Sequence, residues 1–252
     1  MRQFLLPRWY AGEPRVSLAG EDFHYLARVL RMREGDTCPA IDAHGARYVM
    51  RLSRVVRAGC DIELTPQTGE ESPSPDFELT LIQCLPKGRK IDLIVRQATE
   101  AGVSRIVPLY SENSLVRPGQ DDARLSRLRR VAREALQQSG SARMPEIEEP
   151  RQLASIVGGR ADWGTALLFH ERPDSATPLH QLLAGSVTTV SVLIGPEGGL
   201  SGSEFELLTG AGFRPVHLEG NILRVETAAL YAIGAVKTIL QERNAWKPAQ
   251  GQ

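Results

Sequence analysis

TTVSVLIGPEGGLSGSE, residues Thr188–Glu204, passes from strand to turn to helix without a break. The apolar, β-branched run Thr188–Gly195 reads as a strand buried on both faces. Gly195, Gly198 and Gly199 then let backbone come close to a ligand. Ser201 is followed three residues later by Glu204, the spacing of a capping box, so a helix is predicted to start at Ser201 with the turn left free ahead of it. A buried strand, a glycine turn and a capped helix make one unit of a parallel α/β fold.

The same alternation extends both ways. Upstream lie FELTLIQCL (Phe77–Leu85), a helix with Ile91, Ile94, Val95 and Ala98 on one face, RIVPLY (Arg105–Tyr110), a helix over Asp121–Gln138, and TALLFH (Thr165–His170). Downstream, a strand over Pro215–Leu218 gives way to a turn and a long apolar helix. The pattern predicts a largely parallel sheet covered on both faces. Before Phe77 the rhythm differs. Gln3–Leu6, Arg15–Leu18, Asp36–Asp42, Arg47–Val56 and Asp61–Thr65 read as short strands, with a helical insert over Glu21–Leu30, and suggest a small β-barrel. GEESPSPD, Gly69–Asp76, cannot form a packed element. The expected division is therefore a barrel over 1–70, a linker over 71–76 and an α/β domain over 77–247. No internal repeat is found.

The formal net charge of the 252 residues is zero, yet its distribution is uneven. Residues 1–60 carry +4 and residues 86–143 carry +6, so the remainder carries −10. Two basic regions can meet phosphate while an acidic remainder keeps the molecule dissolved. Cys38, Cys60 and Cys84 lie far apart, the five histidines are scattered, and no metal-site spacing occurs, so no metal is expected. With no apolar run long enough to span a bilayer and no secretory apolar region at the start, the chain is placed in the cytoplasm, with no membrane partner.

In parallel sheets, ligands bind beyond the carboxyl ends of the strands. Two loops qualify. Gly195–Gly199 has no lysine nearby, which argues against nucleoside triphosphate binding, and Glu197 among the glycines suits a cationic or hydroxyl-bearing ligand. The second, HLEGNILRVETAALYAIGAVKTIL, holds Arg224 beside Glu226 and Thr227 where the helix starts, and a helix N-terminus favours anionic groups. Ala228, Leu230, Tyr231, Ile233, Gly234, Val236 and Ile239 make that helix too apolar for a free surface, so it belongs in a core or a dimer interface.

LIGPEGGLSGSE and NILRVETAALYAI together resemble the C-terminal signature of the bacterial 16S ribosomal RNA (uracil-N3)-methyltransferases, the small-subunit methyltransferase E family of the SPOUT superfamily. MRQF, RVLRMREGD (Arg28–Asp36), KGRK with ATEAGVSRIVPLYSE (Lys87–Glu112) and QSGSARMPEI (Gln138–Ile147) resemble the family's other blocks in the family's order. The resemblance implies a PUA-like barrel that grips RNA, followed by a SPOUT-type α/β domain tied in a trefoil knot around S-adenosylmethionine (SAM). It implies a homodimer acting on 16S rRNA of the small ribosomal subunit. By similarity, Leu193, Ile194, Gly195, Glu197 and Gly198 would line the cofactor pocket with Leu218, Gly220, Ile222 and Leu223, and His170 with Glu171 would form a third wall. The chain departs from the family at Glu219 and Asn221, where a basic residue is usual before ILR, and at Gln137 and Ser141.

Methylating N3 of uracil leaves negative charge on the ring once the proton goes. Arg224 is expected to stabilise that anion and align it, with Arg2 assisting from the barrel side. No residue stands out as a general base. Two other readings compete: a catalytically silent RNA-binding or assembly factor, and a knotted enzyme acting on ribose 2′-oxygen or a tRNA base.

Overall fold

Val16 and Leu18 turn inward from a strand whose other residues are exposed, and this two-residue rhythm builds the first of two sheets. The computed structural model describes residues 3–67, 77–119, 121–141, 143–157, 162–171, 177–217 and 220–242. Expectations for Arg2, Leu218, Glu219, the 71–76 linker and 243–247 lie outside those residues. The chain separates into two units: Met1–Ser74 with Arg133–Met144, and Pro75–Ala132 with Pro145–Gln252.

The first unit contains β1 (Phe4–Leu5), β2 (Arg15–Ala19), α1 (Gly20–His24) continuing into a π-helical turn (Tyr25–Val29), β3 (Thr37–Ile41), β4 (Arg47–Val56) and β5 (Gly59–Pro66). The strands pair in the order β1-β3-β4-β5-β2, antiparallel except for β1 with β3. A register shift between Leu52 and Arg54 bends β4, and Ser53 Oγ there donates to the Asp61 carbonyl at 3.0 Å. Phe4, Leu26, Met50 and Ile62 are fully buried in its core. Each such side chain contributes roughly 1.5–3 kcal/mol by leaving water. Arg133–Met144 belongs here through Gln3: its backbone N–H donates to the Gln137 carbonyl at 2.9 Å, and its side-chain amide to Leu136 at 3.1 Å and Ser141 at 2.8 Å. Arg133 also pairs with Asp22.

The second unit comprises β6 (Glu78–Cys84), α2 (Lys90–Glu100), β7 (Arg105–Tyr110), the start of α3 (Asp121–Ser139), β8 (Glu146–Ile147), β9 (Arg151–Gln152), a 3-10 turn (Leu153–Ile156), β10 (Thr165–Phe169), α4 (Leu179–Leu182), β11 (Thr189–Ile194), α5 (Gly202–Gly210), β12 (Arg214–Val216) and α6 (Val225–Glu242). Its strands run β12-β10-β11-β6-β7-β8, with β9 also on β7, and every pairing is parallel. The parallel sheet was expected. Strands β8 and β9, two residues each, were not, because so short a stretch shows no periodicity.

Leu168 and Leu193 point to one face, where Leu153 and Ile156 of the 3-10 turn and Leu208 of α5 join them. Neither α2 nor α6 contributes to that cluster; they pack on each other, and α6 packs on β6 and β11. On α6, Val225, Ala229, Ala232, Ile233, Val236 and Leu240 are buried, whereas Leu230 is 40% and Tyr231 54% exposed. Of the two expected settings, a core or a dimer interface, the single chain supplies cover on one side of the helix. One face meets the sheet unit and another, still apolar, faces outward. No helix of the described residues is long and apolar enough to cross a membrane.

Candidate functional site

Parallel pairing brings the carboxyl ends of β10, β11 and β12 together, since Phe169 lies opposite both Ile194 and Val216. His170 N–H, just past β10, donates to the Val216 carbonyl at 3.0 Å, and His217 Nδ1 sits 3.4 Å from the His170 carbonyl. The loops leaving these ends therefore share one rim, as the position of ligand sites in such sheets requires.

A cleft of about 180 Å³ opens there. The first wall is Phe169, His170 and Glu171; the second is Ile194, Gly195, Pro196, Glu197, Gly199 and Leu200; the third is Val216, His217, Gly220, Asn221, Ile222 and Leu223, with Val225 and Ala228 of α6. Of the residues expected to bind cofactor, His170, Glu171, Ile194, Gly195, Glu197, Gly220, Ile222 and Leu223 line this one cleft. Leu193 faces the core cluster instead, fully buried. Gly198 turns towards Asn113, whose Cβ would lie 3.1 Å from a Cβ built on the glycine. Arg224 is exposed immediately before α6, and its carbonyl accepts the Ala228 N–H at 2.8 Å.

The glycine turn is fastened from two sides. Asn113, beyond the end of β7, donates its amide to the Gly198 and Gly199 carbonyls at 3.3 and 3.1 Å. Gly199 has φ +69°, which side-chain-bearing residues rarely adopt. Behind the turn, Ser201 and Glu204 form the anticipated capping box, and Glu204 Oε1 also accepts the Glu112 N–H at 2.8 Å. The same carboxylate thus caps α5 and ties it to the segment after β7.

Glu197 faces the cleft, but its carboxylate is already engaged. Both of its oxygens lie 3.2 Å from the Lys87 N–H, and Lys90 Nζ donates at 2.7 Å. Partial burial disfavours its charge, yet the hydrogen bonds from Lys90 and from backbone N–H groups outweigh this and hold the carboxyl below its usual range. The hydrogen bond to Glu197 in turn raises the Lys90 ammonium. Lys90 also lies 3.8 Å from Glu226 Oε2 at the start of α6, an oxygen with no hydrogen-bond partner. Glu197 therefore shapes the turn, and among the described residues the cleft carboxylate left without a partner is that of Glu171, 3.8 Å from a Cβ built on Gly199. Sequence reasoning noticed KGRK but gave Lys87, Lys90 and Asn113 no role, because nothing in linear spacing brings residue 90 to residue 197. Among the described residues no His, Cys, Asp and Glu cluster could hold a metal ion.

An RNA methyltransferase domain model matches residues 72–237, and an RNA methyltransferase PUA domain model matches 18–56. The ribosomal RNA small subunit methyltransferase E of Synechocystis is 32% identical over 231 residues, covering 91% of this chain and 75% of that one. The chain belongs to this methyltransferase family. The Bacillus subtilis member is 27% identical over 230 residues, covering 88% of this chain and 90% of its own. A small subunit methyltransferase E from Neisseria gonorrhoeae, solved bound to S-adenosyl methionine, is 27% identical and superposes with TM-score 0.83 over 95% of this chain and 98% of that chain. The cleft at the strand ends and the sheet unit with its PUA match are thus parts of an RNA methyltransferase.

Proposed function

We propose that the chain transfers a methyl group from SAM to N3 of one uridine in 16S rRNA of the small ribosomal subunit, in the cytoplasm and as a homodimer. The observation that carries this reading is the single cleft into which the glycine turn and the segment before α6 both open. Its chemistry suits the methyl donor. Ile194, Leu200, Val216 and Leu223 offer apolar wall for a purine, glycine backbone offers amide and carbonyl groups for its edge, and Glu171 offers a carboxylate to a cation or a ribose hydroxyl. The relatives named above, one of them with SAM bound, support the same donor. The trefoil knot implied by the family resemblance, and an RNA-gripping role for residues 1–70, belong to this reading.

When bound, SAM supplies an electrophilic methyl group on a sulfonium. The protein's task is to present N3 without its proton, whose loss spreads negative charge to the neighbouring carbonyl oxygens. Arg224, at the positive end of α6, is the residue assigned to hold that charge in place and orient the ring, with Arg2 assisting. The N3 proton would leave to solvent, and SAM held by the cleft residues would supply the methyl carbon for the new carbon–nitrogen bond, its sulfur leaving as the neutral thioether. Apolar cleft residues keep water from the methyl group.

Incubating the purified protein with SAM and 16S rRNA or small subunits from cells lacking it, then analysing nucleosides by mass spectrometry, tests the proposal. One N3-methyluridine per 16S molecule is expected. A 2′-O-methyl nucleoside or no product would each replace this reading with another.

A further inference from the structure

Arg31 has φ +56° and is the one non-glycine residue in the left-handed region among the described residues. It follows the π-helical turn Tyr25–Val29. Around it the chain folds back: Leu30 N–H donates to the Tyr25 carbonyl at 2.9 Å, and Met32 N–H to the Leu26 carbonyl at 3.0 Å. Reversals of this kind ordinarily use glycine, which has no Cβ to clash. A residue with a side chain is strained there and stays only where its surroundings hold it.

Those surroundings are firm. Leu26 is fully buried, Tyr25, Leu30 and Met32 pack against the barrel core, and Tyr25 stacks on Phe4 with ring centroids 6.3 Å apart. Downstream, Arg33 N–H donates to Asp36 Oδ2 at 2.7 Å and Gly35 N–H to the Leu52 carbonyl at 2.7 Å. With these groups turned inward, Arg28, Arg31 and Arg33 are left exposed within six positions. Among the described residues no carboxylate pairs with their side chains. Elsewhere in the barrel, by contrast, Glu63 sits 3.1 Å from Arg15 and 3.7 Å from Arg51. The one acid close to the cluster along the chain with a placed contact, Asp36, is spent on backbone.

If the turn served the fold alone, glycine at 31 would serve it better. A planar guanidinium, however, pairs with two phosphate oxygens at once, and three of them on a braced turn would meet a phosphate backbone with little ordering cost. We propose that Arg28, Arg31 and Arg33 form a phosphate clamp for the rRNA backbone, presented by the strained turn at Arg31. The inference rests on the RNA-methyltransferase reading and deepens it by naming where the barrel holds RNA.

Two readouts, RNA binding for charge and melting for strain, are compared in two substitutions. Arg31→Gly removes the cation and relieves the backbone, whereas Arg31→Lys keeps both. Binding of a fluorescent 16S rRNA transcript is followed by anisotropy across a salt series, and the thermal midpoint of each variant is recorded. Arg31→Gly is expected to melt at or above the wild-type temperature and to bind roughly four- to fivefold more weakly at 0.15 M salt, the loss that one phosphate contact implies through counterion release. Its salt slope should fall by about one. Arg31→Lys, which keeps the charge but not the planar fork, should melt close to wild type, keep the salt slope and lose less affinity than Arg31→Gly. Charge removal at all three positions, by Arg28→Gln, Arg31→Gly and Arg33→Gln together, should lower the slope by about two to three. Wild-type affinity and slope in Arg31→Gly would overturn the clamp, as would an equal fall of the salt slope in Arg31→Lys. A wild-type protein that takes up SAM but binds no rRNA would bring down the functional reading and the clamp with it.

Discussion

Lys90 Nζ donates to Glu197 Oε1 at 2.7 Å while lying 3.8 Å from Glu226 Oε2, so one ammonium connects the glycine turn to the first turn of α6. Both segments line the cleft. As an exposed pair the contact adds little to folding, and its importance lies in fixing two loops relative to each other. Lys90→Met should therefore leave the thermal midpoint close to wild type but lower turnover at least tenfold, given that misplacement by about 1 Å can cost about a hundredfold. Steady-state kinetics and calorimetric titration with SAM check this. Unchanged kcat and SAM affinity would show that the bridge is incidental.

The same contact sets a pH dependence. Glu197 ionises below its usual value of 4.5 in the folded chain, so its favourable contribution is fully present above pH 4.5 and is lost as pH falls through the depressed value. SAM-induced thermal stabilisation should thus hold level from neutral pH down to that point and decline beyond it. In Glu197→Gln the acid-side decline should disappear, along with part of the stabilisation at neutral pH.

Arg224 is exposed immediately before α6 and is not part of the cleft lining, and its proposed role is contact with substrate. Arg224→Ala is expected to reduce kcat by about 10²–10³, as removal of one transition-state donor does, with SAM affinity within a factor of about two. Equal losses in both would reassign Arg224 to cofactor binding.

At Gly199 the backbone has φ +69°. Gly199→Ala imposes about 1–2 kcal/mol of left-handed strain and adds a methyl group 3.8 Å from Glu171 Oε1, at the cleft wall. Urea denaturation should register the strain, and SAM affinity should fall. A variant as stable and as tight-binding as wild type would contradict the described turn.

Burial pushes the Cys84 thiol up to about 12, and Cys38 likewise to about 12, while Cys60 reaches about 11, chiefly through desolvation. At pH 8 all three should be protonated and slow to react with Ellman's reagent in the native protein. Three equivalents should appear promptly on denaturation. Fast native labelling would mean that these sites open readily.

Leu230 at 40% and Tyr231 at 54% exposure form the outward apolar face of α6, and Leu93 of α2, the helix that packs on α6, is 38% exposed. If two copies meet here, Leu230→Glu with Tyr231→Glu should halve the mass measured by light scattering without changing the circular dichroism spectrum, because buried like charges oppose association. An unaltered mass would place the interface elsewhere.

Much of the fold was legible because its signals are local. Thr188–Glu204 announces its strand by apolar residues, its turn by glycine and its helix by the Ser201–Glu204 spacing, and each appears within a residue or two of where it was expected. Alternating strands and helices also implied parallel pairing, which puts the loop ends on one rim. Strands β8 and β9 escaped notice because two residues carry no period.

The sequence by itself determined the class of fold, the two loops to examine and the family. Tertiary structure alone decided which side chains those loops use: Lys90 and Asn113 reach the glycine turn across gaps of 107 and 85 residues, and Gln3 draws Gln137 to the barrel across 134. It also decided that Glu197 fastens the turn and that one face of α6 stays uncovered. The physical reason is range. Backbone periodicity, capping and glycine conformations act within a few residues and are written in neighbouring letters. Ion pairs and side-chain hydrogen bonds depend on where distant segments meet, which the packing of the whole unit sets.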